Sequence, residues 1–310
     1  MSDANRVILR YVPETTYGET PADSADWKEV RFTGESLSAS PEQSNSSEIR
    51  SDRQIADAPT VSASTSGDIS FELSPQSFDD FIASAMMNDW DDTSGELVTG
   101  TTESSYSIEK AFTDIERYIN FKGMRVDTMS LEMSYGSIIT GSFGLAGAGA
   151  TTPAVSIVGA GTSAAPLSTE VFVGSSDVGS VTIDGAPADI CISTLSLNVS
   201  NNHRAINCIG NLYPKNQKAG TSNVTGSATV YLGQDSFELY KDSLESGRVA
   251  LSYAVTDGTN TYLFELPRLT LQVDAPQAGS LDSDVELTVN FTAIYDPVEE
   301  TNLRITRTPV

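Results

Sequence analysis

The sequence predicts a mostly β chain, built as two tandem β-sandwich or barrel domains that each carry a flanking α-helix. Three observations predict it. Apolar residues recur at every second position in "GDISFELS", "SLEMSY", "ISTLSLNVS", "GSATVYLG", "RLTLQVD" and "DVELTVNFTAI". That is the period of strands with one packed and one wet face. Two amphipathic helical segments interrupt this pattern at matching places. One hairpin also occurs twice without a gap: "AFTDIERYINFKGMR" at 111–125 and "AVTDGTNTYLFELPR" at 254–268 share Ala111/Ala254, Thr113/Thr256, Asp114/Asp257, Phe121/Phe264 and Arg125/Arg268, 143 positions apart.

Each element follows from local pattern. "VRFTGESLSAS" reads as a first strand, and the polar stretch 38–66 as a long excursion with few apolar residues to fold on itself. "GDISFEL" from Gly67 is the next strand. "SPQSFDDFIASAMM" then supplies Ser74 as an N-cap, Pro75 at the first helical position, and Phe78, Phe81, Ile82, Ala85 and Met86 on one face. The second copy repeats the order. "STLSLNVSN" precedes a polar stretch at 200–224, "GSATVYL" starts at Gly226, and "DSFELYKDSLESG" offers Phe237, Tyr240 and Leu244 with Gly247 as the stop. Gly67/Gly226, Leu73/Leu232, Ser77/Ser236 and Phe78/Phe237 share one offset of 159, and "IITGSF" at 138–143 aligns with "ELTVNF" at 286–291. A repeat of this period is a pair of whole domains, not a solenoid unit. The reading is therefore an arm at 1–27, a first domain at 28–150, a Gly/Ala/Ser/Thr-rich linker at 151–167 and a second domain at 168–310. Within the linker, "AVSIV" could dock as a short strand.

Composition narrows function. With 39% hydrophobic residues the chain can bury a core. Its 42 acidic against 18 basic residues leave −24, which repels polyanions and opposes duplex binding through phosphate neutralisation. The N-terminus has no basic region followed by an apolar run, and no segment has about 18 uninterrupted apolar residues. Cys191 and Cys208 read as small buried hydrophobes rather than a bridge. Assembly inside a cell is expected.

Catalytic signals are thin. His203 is the single histidine and sits in a polar stretch, where the expectation is a solvated side chain. There is no zinc spacing, phosphate loop or nucleophile elbow. "DWDDTSGE" at 89–96 places Asp89, Asp91 and Thr93 at calcium-loop spacing. However, the Gly falls one position late and no Glu stands twelfth, so it reads as an acidic solvated loop. Asp79 with Asp80, and Asp282 with Asp284, read as surface charge. No enzyme and no cofactor are expected.

The opening "VILRYVPETTYGETP", the "WKEVRFTGESL" beginning at Trp27, "SSEIRSDRQIAD" and "GDISFELSPQSFDDFIASAM" resemble a phage tail tube protein, the major tail protein of long-tailed, non-contractile phages (siphophage type). The resemblance implies a structural virion protein polymerised into stacked rings around a DNA conduit. Neighbours would join sheets edge to edge into a closed barrel lined by four strands per domain. It also implies a tape-measure protein inside, a terminator at the head side and a distal tail ring, with no membrane. Ring-forming members often use six single-domain copies. Two domains in one chain therefore suggest a trimer with pseudo-sixfold symmetry. The alternative is a secreted or surface-assembled pilus- or adhesin-like β-sandwich, which calls for a secretion signal that this start lacks.

Alternation then assigns a lining. Asp68, Ser70 and Glu72, Glu132 and Ser134, Thr270, Gln272 and Asp274, and Glu286, Thr288 and Asn290 lie opposite the packed positions and are expected to face the lumen. Arg50, Asp52 and Arg53 in the 38–66 excursion are expected to make ion pairs between rings. The arm, the 200–224 excursion and the linker are expected to carry further ring-to-ring contacts.

Overall fold

The computed structural model describes residues 3–21, 27–158, 163–179, 181–187, 190–281 and 283–308. Its longer elements, in chain order, are β1 (Val7–Pro13), β2 (Ser38–Gln43), β3 (Thr60–Glu72), α1 (Asp79–Met86), β4 (Tyr106–Phe112), β5 (Arg117–Ser134) and β6 (Thr140–Gly147) in the first half. The second half has β7 (Ile192–Ser200), β8 (Asn223–Tyr231), α2 (Gln234–Leu244), β9 (Val249–Thr256), β10 (Thr261–Val273), β11 (Glu286–Ala293) and β12 (Arg304–Arg307). The fold is mostly β, as expected.

One antiparallel sheet runs through both halves in the order β2–β3–β6–β5–β7–β8–β11–β10. The pairing within each half follows one scheme: a leading strand on β3 or β8, then β6 or β11, then β5 or β10, then β4 or β9. Both hairpins expected from the repeat form, as β4–β5 and β9–β10.

The second arm of each hairpin is longer than its alternation suggests. The hairpin arm at 117–125 and "SLEMSY" are one strand, the 18-residue β5. Its first part pairs with β4 and with Gly149–Thr151 in an outer layer, and its last part lies in the long sheet. Between Val126 and Thr128 the register slips by one residue, which flips the faces. Asp127 is held there from the other half: Asn201 N donates to its carbonyl and His203 N to Oδ1, both at 2.8 Å. β10 likewise pairs with β9 and β12 over its first residues and with β11 over its last. The main core fills the space beneath the long sheet, with Phe71, Phe143, Leu131, Leu197, Phe264 and Phe291 among its buried members.

α1 begins later than its sequence signals suggest. Ser74 does not cap it, and 75–78 forms a turn instead. Gln76 adopts φ 61° and gives its N–H to the Tyr262 hydroxyl at 2.8 Å, while Ser74 Oγ bonds Ser77 Oγ. Residue 67 has a steric reason to be glycine. At φ 153° a Cβ would stand 2.5 Å from Ser36 O and 2.6 Å from Leu37 Cα, so only glycine lets the leading strand approach.

The first 21 residues are not a free arm over their described length. β1 pairs with β4 from Val7↔Phe112 to Pro13↔Tyr106. Glu14 then accepts from Gly18 N, Gly123 N, Ser105 Oγ and Ser107 Oγ at 2.7–2.8 Å. The described parts of 151–167 also dock: Thr151 ends the strand that pairs with β5, Ala164 bridges Lys28, and 154–158 forms bends and a turn rather than a strand. Glu109, fully buried and paired with Arg10, accepts from Ser156 Oγ and Ile157 N. Val158 packs with Val12 and Trp27.

Candidate functional site

Because side chains alternate across a strand, the long sheet carries one apolar and one polar face. The structure places every residue expected to line a lumen on the polar side of this one sheet, except that Asp274 follows the last paired residue of β10. The rows are continuous across both halves. Glu72, Thr140, Glu132, Ser196, Ser227, Asn290 and Gln272 are successive register partners. So are Ser70, Ser142, Ser130, Asn198, Thr225, Thr292 and Thr270. Ser134 meets Thr194, Thr229 and Thr288 in a third row, while Asp68 stands opposite Gly144 and Glu286 opposite Tyr231.

Hydroxyls bond across the strands, Ser130 Oγ to Ser142 Oγ at 2.8 Å and Ser196 Oγ to Ser227 Oγ at 2.9 Å. These rows contain carboxylates, hydroxyls and amides and no Lys or Arg. The residues of β6 and β7 that complete them, Ser142 and Thr194 to Asn198, were legible in the same alternation. What alternation could not supply is their adjacency, since β5 pairs with β7 across the two halves from Thr128↔Ser200 to Ser134↔Thr194.

The 38–66 excursion is a hairpin that leaves the body. β2 pairs with β3 from Ser38↔Ser66 outward, and Ser44 N→Pro59 O and Ser46 N→Asp57 O extend the ladder. Every residue of β2 is exposed, as are the large side chains Ile49, Ile55 and Val61. At about 3.3 Å per residue, Ser38 to Arg50 spans up to about 40 Å. Arg50 and Asp52 pair with each other at the tip, at 3.0 and 2.7 Å, with both side chains exposed. Arg53 takes a positive φ of 61° beside them. The 200–224 excursion folds back on its own chain. Leu212 O accepts from Ala63 N at the arm's base, Gln217 Nε2 bonds Gly147 O, and Arg125 bridges Gln217 O and Glu103. Ile209 remains fully exposed at its turn.

Several polar residues sit differently from expectation. Asp79 is buried: it pairs with Arg307, accepts from the Tyr262 hydroxyl, and its carbonyl takes Trp90 Nε1 at 3.0 Å. Burial, and then the Asp79 charge, push the Tyr262 hydroxyl well above its usual pKa, so it stays a donor. Arg307 also stacks 4.5 Å over the Trp90 ring. Asp80 accepts from Tyr11 Oη and pairs with Lys28. The His203 side chain is almost wholly buried, 4% exposed, and burial lowers its pKa despite Asp127 nearby. Cys191 and Cys208 are free and exposed, not buried. In the 89–96 loop, Asp91 Oδ1 accepts from Thr93 N and Ser94 N, so this carboxylate organises a turn.

A family model described as "Phage tail tube protein" matches residues 4–293. No curated protein matches the chain.

Proposed function

The chain belongs to the phage tail tube protein family, and on that premise we propose that three copies close into a ring, that rings stack into the tail tube, and that the polar sheet face lines the conduit through which DNA leaves. One observation carries this reading: a single sheet spans both halves, presents a hydroxyl, amide and acidic face, and among the described residues ends at β2 and at 270–273 of β10 with no further strand paired beyond them. An open edge is an aggregation hazard in a monomer, and ring closure removes it. The chain is a structural component of the virion tail, and among the described residues no helix is long and apolar enough to cross a membrane. The common pairing scheme of the halves supports descent from a duplicated domain, and each chain then supplies two of six sectors. The tape-measure protein would occupy the lumen during assembly in the host cytoplasm, with a terminator and a distal ring at the tube's ends.

Electron microscopy of assembled tubes tests this directly. Three chains per ring with the Ser130–Asn198 face inward is the expected result. Six full chains per ring would remove the pseudo-symmetry, and an outward polar face would remove the lining.

The lining has a functional consequence. A wall with carboxylates and no fixed cation repels phosphates and gives DNA no binding site. Particles carrying Glu72→Lys with Glu286→Lys should assemble normally and eject DNA several-fold more slowly, with the defect shrinking at higher salt. Ejection at the wild-type rate from intact tails would show that these positions do not meet the DNA.

A further inference from the structure

The 200–224 excursion is fastened by polar contacts more than by a core. Its hairpin pairs Arg204–Ile206 with Asn216–Lys218. Ile206, Ile209 and Leu212 are exposed, while Pro214 is buried. The root is tied where Gly220 N donates to Asn201 O at 2.8 Å and Asn201 Nδ2 donates to Ala85 O at 2.9 Å. Beyond the root, the fastenings converge on two residues of β5. Asp127 Oδ1 accepts from His203 N at 2.8 Å. Arg125 bonds Gln217 O and reaches Glu103 at 2.8 Å, and Lys218 Nζ reaches the same Glu103 at 3.3 Å. At the far end, Leu212 O accepts the N–H of Ala63 at 2.9 Å, at the base of the 38–66 arm. A segment with few buried apolar contacts opens at low free-energy cost, so a single added charge shifts its equilibrium.

His203, the single histidine, is where that charge appears. Histidine is the side chain whose unperturbed pKa brings a charge change between pH 5 and 8. The imidazole is almost wholly buried, and its Nδ1 stands 3.9 Å from Asp127 Oδ1, beyond hydrogen-bonding distance. Nδ1 has no hydrogen-bond partner among the described residues. The neutral ring tolerates this with Nδ1 as a bare acceptor. In the protonated ring both nitrogens carry hydrogen, and a buried N–H with no acceptor is costly.

Among the described residues, the charges acting on the ring are Asp127 and Arg125 of β5 and Glu103 of the segment before β4. On its own hairpin, Arg204 stands opposite Lys218, whose charge is turned to Glu103. Burial and then the Arg125 guanidinium hold the His203 pKa below its ordinary value, against the opposing pull of Asp127 and Glu103. A ring freed into water takes its proton at about pH 6.5, while the docked ring takes it only at lower pH. The docked hairpin is therefore fully favoured above that pH and loses ground as pH falls through it.

We propose that His203 is a proton-operated latch: a proton on its imidazole frees the Arg204–Lys218 hairpin from Asp127 and Arg125, and frees the base of the 38–66 arm from Leu212. The latch closes within one chain, so it stands or falls apart from ring formation. Hydrogen exchange on single full-length chains tests it, with the Ala63 N–H as the reporter at the far end. Between pH 7.5 and 5.5, after correction for intrinsic rates, the opening equilibrium of Ala63 and of 203–218 should rise several-fold. One proton limits the rise to about tenfold per pH unit. Amides paired between β5 and β7 should hold their protection. The midpoint should coincide with the titration of the His203 ring followed by NMR, a comparison that needs no variant. His203→Gln, neutral throughout this range, should flatten the change. Opening that stays constant while the ring titrates, or a midpoint apart from that of the ring, would overturn the latch. So would tighter docking in acid, the result of an ion pair with Asp127, or a His203→Gln chain that still opens as pH falls.

Discussion

Removing residues 44–58 and closing β2 to β3 with an Asn-Gly turn should leave subunits that fold normally and no longer stack into tubes. The arm contributes almost nothing to the core. β2 is wholly exposed, and from 44 to 59 the described side chains are exposed with few exceptions. Its ordering therefore brings little return in a lone chain, where fixing each residue costs about 1–2 kcal/mol of backbone entropy. Ile49 and Ile55, held away from the body on a hairpin, gain burial only against another subunit. At roughly 25 cal/mol per Å² of apolar surface removed from water, two such side chains across every copy make a tube-scale difference. Thermal unfolding of the shortened chain should match the parent within a few degrees, with tubes absent from micrographs. Normal tubes would show that stacking runs through other surfaces, the exposed Ile209 turn being the next to test.

Arg307→Ala should destabilise the subunit by about 3–5 kcal/mol, the cost typical of breaking a buried ion pair and leaving one charge uncompensated. The side chains of Arg307 and Asp79 are 15% and 10% exposed. The pair lies where β12 bridges the two halves, pairing with β10 on one side and with Glu96–Val98 on the other. Tyr262 adds a hydroxyl to Asp79 from β10, and Trp90 stacks under the guanidinium. Losing the cation leaves Asp79 with hydrogen bonds but no counter-charge. Arg307→Lys should recover part of the loss, since an ammonium restores charge without the planar stack on Trp90. Denaturant unfolding measures both. A loss below about 1 kcal/mol for the alanine variant would place the joining energy in the strand pairing alone.

Local pattern made much of this protein legible. Alternation in "GDISFELS", "ISTLSLNVS" and "DVELTVNFTAI" assigns each strand and separates its packed from its wet residues, because a pleated strand turns successive side chains to opposite faces whatever surrounds it. The repeated hairpins were visible for the same reason, as was the polar arm, which lacks the apolar residues to fold on itself. The misplaced features depended on distant contacts. The helix start moved to Asp79 because Tyr262 takes the N–H of Gln76. Asp79 is buried because Arg307 reaches it from the far end of the chain. His203 is buried because Asp127 draws in its loop.

The sequence by itself determined which residues could form a polar wall: the two-residue period sorts Glu72, Glu132, Thr270 and Asn290 from their packed neighbours without knowledge of any partner strand. Only the tertiary structure decided that these residues share one sheet. Backbone N–H and C=O groups are alike on every strand, so nothing in the order of amino acids marks the edge of β5 as the one that meets β7. That choice is made by the shape of the packed halves, by the buried pair at Asp79 and by the loop that ties Asp127, all of them contacts between residues far apart in the chain.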